Sequence, residues 1–133
     1  MCLSSITDRN PKTKSGYGYK VVRVVGLDYW APYRSDTLQK RRWINSSGPD
    51  IHLEWSYVSY PSGFHIWDSP YVAYKHMLAK KAECKSREFA VVKVKYAQAE
   101  TIGTNVCGLA YHKCIVVKKM RILYKVDKKG NRV

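Results

Sequence analysis

The sequence predicts an α+β domain: a mostly antiparallel, twisted sheet with one main central helix over about 70–83 and short extra helices. Three observations carry this expectation. Phe89–Tyr96 and Cys114–Tyr124 are β-branched runs with the two-residue alternation of strands. Asp68-Ser69-Pro70 is a helix start, with an acceptor side chain at the cap and a proline in the first turn, where its missing N–H costs nothing. A chain of 133 residues with 45% apolar content suits one core.

Taken in order, residues 1–16 are rich in Ser, Thr, Lys and Asn without periodicity and are expected to form a flexible basic arm. The single domain is expected over 17–125 and a polar, basic, frayed tail over 126–133. Tyr17–Gly26 reads as the first strand, ended by its glycine. Pro32 argues against a continuous helix after it, while Ser35–Trp43 fits a short one. Ser46-Ser47-Gly48-Pro49 and Pro61-Ser62-Gly63 read as turns on either side of a strand at Leu53–Tyr60. Phe64–Trp67 is a short strand leading into the helix Pro70–Glu83, whose shared face is expected to hold Tyr71, Tyr74 and Leu78. In Phe89–Tyr96, Ala90, Val92, Val94 and Tyr96 fall on one face, and Val91, Lys93 and Lys95 on the other.

The formal charge is +14, from 24 Lys and Arg against 10 Asp and Glu, which favours contact with polyanions. The basic residues are segregated. Trp43 to Tyr74 contains none and holds eight aromatics, which supply either core or the lining of a cleft. Trp55, Tyr57, Tyr60 and Trp67 are the cleft candidates. No apolar stretch has the length of a membrane span and the first residues do not resemble a signal peptide, so the expected location is a cytoplasm, without membrane attachment.

Cys2, Cys84, Cys107 and Cys114 read as reduced thiols. Cys107, His112 and Cys114 offer three zinc ligands without a Cys-x-x-Cys pair, and no metal is expected there. Nucleotide-binding glycine loops and the signatures of helix–turn–helix, zinc-finger and RNA-recognition modules are missing.

Tyr19-Lys20-Val21, Gly63-Phe64-His65 followed by a helix with Ala73 and Tyr74, Val91-Val92-Lys93-Val94 and the Val-, Met- and Ile-rich closing run together resemble a group of small uncharacterised bacteriophage and bacterial proteins over roughly 17–124. The centre is also distantly similar to the ADP-ribosyltransferase fold: Gly63–Trp67 would fill its strand, and Ser69, Ala73 and Tyr74 its helix. That resemblance would put Glu100 near the catalytic glutamate and Arg23 beside nicotinamide, without the first-strand His-Gly or Arg-Gly signature.

The resulting expectation is a phage-type accessory protein that acts by binding, without cofactor or catalytic residue. It would inhibit or modulate a host or defence nucleoprotein complex. Lys40, Arg41, Arg42, Lys80, Lys81, Lys118, Lys119, Lys128 and Lys129 would contact nucleic acid or an acidic protein. The rival is an NAD-dependent ADP-ribosyltransferase using His65, Tyr74 and Glu100, with NAD as its co-substrate. A third expectation is a virion structural protein.

Overall fold

A computed structural model describes residues 3–32, 37–46, 48, 50–52, 58–107 and 110–133. Its frame is one long antiparallel hairpin, β9 (Glu88–Cys107) and β10 (Ala110–Val126). The other strands are β1 (Ser5–Asp8), β2 (Gly16–Val25), β3 (Asp28–Trp30), β4 (Thr37–Leu38), β5 (Trp43–Asn45), β6 (Ile51–His52), β7 (Ser59–Tyr60) and β8 (Phe64–Trp67). The helix α1 spans Pro70–Glu83.

The main sheet runs β1-β9-β10-β8-β2-β3-β4, with β5 added on β10. β2 also pairs with β9, so β2, β9, β10 and β8 close into a ring, completed by the residue pair Tyr19 and Trp67. Register shifts at Val116/Val117 and Ile122/Tyr124 leave Glu100 and Leu123 as extra residues. Such bulges bend and twist a ribbon, which lets two long strands curl into the ring. Gly18 lets β2 and β8 approach closely, since a methyl group there would meet Ile66 and the Trp67 carbonyl oxygen, 2.8 Å away.

Two apolar clusters follow from the alternation. One draws on all four ring strands: Val22, Ile66, Val92, Val94, Ile115, Val117 and Ile122. The other lies between the opposite face and the helix, with Val21, Trp67, Ala73, Met77, Val91 and Val116. The expected split of Ala90, Val92, Val94 and Tyr96 to one face holds. Helix α1 begins where its cap predicts: the Ser69 hydroxyl accepts from the Val72 amide at 3.4 Å, with Pro70 in the first turn.

Several expectations change. The helix buries Ala73, His76, Met77 and Lys80, while Tyr71 and Leu78 are exposed. The stripe facing the sheet therefore mixes Ala73 and Met77 with the polar His76 and Lys80 at helical spacing, which an apolar pattern does not reveal. Among the described residues α1 is the one helix. The segment expected as a short helix at Ser35–Trp43 contains β4 and the start of β5, with Arg41 between them at φ 60°, a left-handed conformation no α-helix admits. Ser35 and Asp36 lie outside the described residues.

The N-terminal segment is not an arm throughout, because β1 pairs with β9 and Leu3 is fully buried. Nor does the end of the chain fray. The Asp127 carboxylate accepts from the Lys129 and Asn131 amides, each at 2.9 Å, and Val133 donates to Lys125. Among the described residues no helix is long and apolar enough to cross a membrane.

Candidate nucleic-acid interface

Strand alternation sends every second residue of the sheet outward, and α1 covers only part of that outer face. Beyond the helix, the register sets four residues in one row across four strands. Tyr17 of β2 stands opposite Lys95 of β9, Lys95 opposite Arg121 of β10, and Arg121 opposite Trp43 of β5. All four are exposed, Tyr17 at 58% and Trp43 at 44%. The neighbouring row, Gly16, Tyr96, Met120 and Ile44, points inward, and its Tyr96 and Met120 are buried, which confirms the alternation.

Same-face neighbours extend the patch. Lys93 and Lys119 stand two residues along from Lys95 and Arg121, each half-buried. The ammonium groups of Lys93 and Lys95 lie 5.5 and 5.7 Å from the Tyr17 ring centroid. That distance suits cation–π attraction, which holds the cations at the surface beside the ring. These rows contain no carboxylate. The result is a row of ring, cation, cation, ring.

The 40–42 cluster adjoins it. Lys40 bridges to Ile122, and the Arg41 amide donates to the Ile122 carbonyl at 3.1 Å. The Lys40 ammonium donates to the Leu27 carbonyl and sits 4.5 Å from the Tyr29 ring. Together with Arg42, Asp28 and Thr37, Lys40 lines a shallow open depression of about 360 Å³.

The remaining expected contact residues are dispersed. Lys80 is 5% exposed, with its pKa lowered to about 8, chiefly by burial and then by Lys20, so it is not a surface cation. Lys81 donates to the Lys85 and Arg87 carbonyls and closes the turn after the helix. Lys118 donates to the Ser62 carbonyl at 2.6 Å. Lys128 and Lys129 are exposed in the turn that Asp127 organises. Of the cleft candidates, Tyr60 and Trp67 are each 1% exposed and belong to the core, and Trp55 and Tyr57 lie outside the described residues.

The residues of the transferase reading stand on separate elements. His65 on β8 is buried, accepting at Nε2 from the Tyr60 hydroxyl, 3.1 Å away, and bonding the Gly63 backbone. Burial above all, then Lys20, lowers its pKa to about 3, so it is a neutral structural imidazole. Tyr74 is half-buried against the helix-side cluster, Glu100 is the bulged residue of β9, and Arg23 lies over the Trp30 ring.

Two features escaped sequence reasoning. His76 stacks on Trp67 with centroids 4.0 Å apart, and its Nε2 lies 3.2 Å from Nδ1 of His112. Lys20 is buried within the sheet, its ammonium 3.4 Å from the His65 carbonyl and its pKa lowered to about 8, burial being the main cause. Among the described residues no three His, Cys, Asp or Glu side chains converge as a metal site. Cys114 is buried, its thiol pushed up to about 12 by burial, and the Cys107 side chain lies outside the described residues. Comparison with protein-family models, with curated proteins and with solved structures gives no match.

Proposed function

We propose that the protein acts by binding nucleic acid, or a complex that carries it, through the outer face of the sheet. One observation carries this reading: the cross-strand row Tyr17, Lys95, Arg121 and Trp43, with Lys93 and Lys119 beside it. Cations fixed on a rigid sheet release counterions from a phosphate backbone, and a net charge of +14 steers such a partner toward them. The biological setting that suits such a surface is an accessory role of the bacteriophage type, modulating a host or defence nucleoprotein complex. Service as a virion structural protein would use the same surface. No observation favours the transferase reading, because His65 is already occupied within the core.

Binding to labelled duplex and single-stranded oligonucleotides across a salt series tests the reading. Affinity should fall steeply with salt, with a logarithmic slope of about 3 to 4 if the four sheet cations each meet a phosphate. Lys95→Gln combined with Arg121→Gln should reduce that slope by about 2. A salt-independent affinity, or no binding at low salt, would remove the proposal.

A further inference from the structure

We infer that the outer sheet face takes single-stranded nucleic acid, laid across the strands with bases stacked on Tyr17 and Trp43 and phosphates over Lys95 and Arg121. This rests on the reading above and adds the class of ligand. Three features of the face lead to it.

Two exposed rings bracket two cations in one row of paired residues. Phosphate contact alone would call for cations only. Stacking calls for a ring with an accessible face, and such rings accept any base because every base has a π-face. In a duplex the base faces are already covered by their neighbours, so rings on an open sheet gain little from double-stranded partners. They gain from unstacked bases.

The spacing fits. Along the curved surface, three strand separations lie between Tyr17 and Trp43, a path of about 14 Å. Consecutive stacked bases lie about 3.4 Å apart, so the two rings cannot serve adjacent stacked bases. They serve bases separated along an extended strand, whose intervening phosphates then pass over Lys95 and Arg121.

The face is also rigid and open. The rings stand on β2 and β5, both paired into the sheet, so little ordering is needed on binding. The charge is of one sign across these rows, which suits a polyanion.

The test uses the full chain, a fluorescein-labelled oligothymidylate, the duplex of equal length, and polyglutamate as competitor. The single strand should bind more tightly than the duplex. Trp43→Ala and Tyr17→Ala should each weaken single-strand binding by about tenfold and leave duplex binding and the salt slope unchanged. Trp43→Phe and Tyr17→Phe should restore most of the affinity, and as both positions are exposed, thermal melts should match the parent. Equal affinity for both forms with no effect of the ring variants overturns the stacking inference while the polyanion reading stands. Competition by polyglutamate as strong as by oligothymidylate also overturns it, in favour of an acidic protein. Absence of binding to either oligonucleotide at low salt removes both.

Discussion

The Tyr60 hydroxyl ties the distant N-terminal segment to the neighbouring strands β7 and β8. It accepts from the Leu3 amide at 2.9 Å and pairs with Nε2 of His65 at 3.1 Å, so the N-terminal segment and β8 both hang on one buried atom. Because the His65 ring also bonds the Gly63 backbone, Nε2 is the acceptor and the tyrosine the donor. Removing the hydroxyl strands a buried donor, the Leu3 amide, and a buried acceptor, Nε2 of His65. Tyr60→Phe should cost about 1–3 kcal/mol in urea unfolding, with the slope unchanged. The sequence shows Tyr60 only as one of eight aromatics between Trp43 and Tyr74. Its burial at 1% and the exposure of Trp43 in the same stretch follow from strand phase and pairing, which composition does not encode. Likewise, the buried His76 and Lys80 occupy positions a charged surface pattern would assign outward.

At the scale of elements, legibility followed local chemistry. The place of helix α1 is legible because Ser69 and Pro70 supply its start. β8 was readable because Phe64–Trp67 is short, apolar and bounded by Gly63 and Asp68. The far half of β9 was not, since Gln98, Glu100, Gly103 and Asn105 carry little strand propensity, and the bulge at Glu100 breaks alternation. Its pairing with β10 holds it extended, a contact invisible to a local pattern. β1 was hidden for a similar reason. It is nearly all exposed, and what secures it is the fully buried Leu3, which precedes it. Leu3→Ala should therefore cost about 2–3 kcal/mol, the lower part of the range for buried leucines because a terminal strand can detach by itself. Hydrogen exchange of the Ser4 amide, which donates to Thr104 at 2.8 Å, should quicken first. The candidate interface is likewise a product of pairing. Tyr17, Trp43, Lys95 and Arg121 come from four separate stretches, and of the contact residues expected from sequence only Lys119 and the adjoining 40–42 cluster belong to it.

For the whole molecule, a large positive charge and two buried neutral imidazoles act in the same direction in acid. His65 and His76 have pKa values lowered to about 3 and about 4, burial being the largest cause for each. Lys20 and Lys80 face His65, while His112 and Lys80 face His76, and each of these neighbours opposes protonation. Below the ordinary imidazole pKa of 6.5 the unfolded chain takes up protons that the folded chain refuses, so stability falls as pH drops from 6.5 toward 4. Lys and Arg outnumber Asp and Glu 24 to 10, so the folded chain repels itself and each proton added in acid increases that repulsion. Salt separates the two contributions, because it screens exposed charges and leaves the desolvation of a buried ring untouched. The urea midpoint should fall between pH 6.5 and 5, and should fall there at high salt as at low. His76→Phe keeps an aromatic partner against Trp67 and should flatten part of this slope. A midpoint constant across that interval would mean that the unfolded chain gains no protons over the folded one, and that the imidazoles titrate as if exposed.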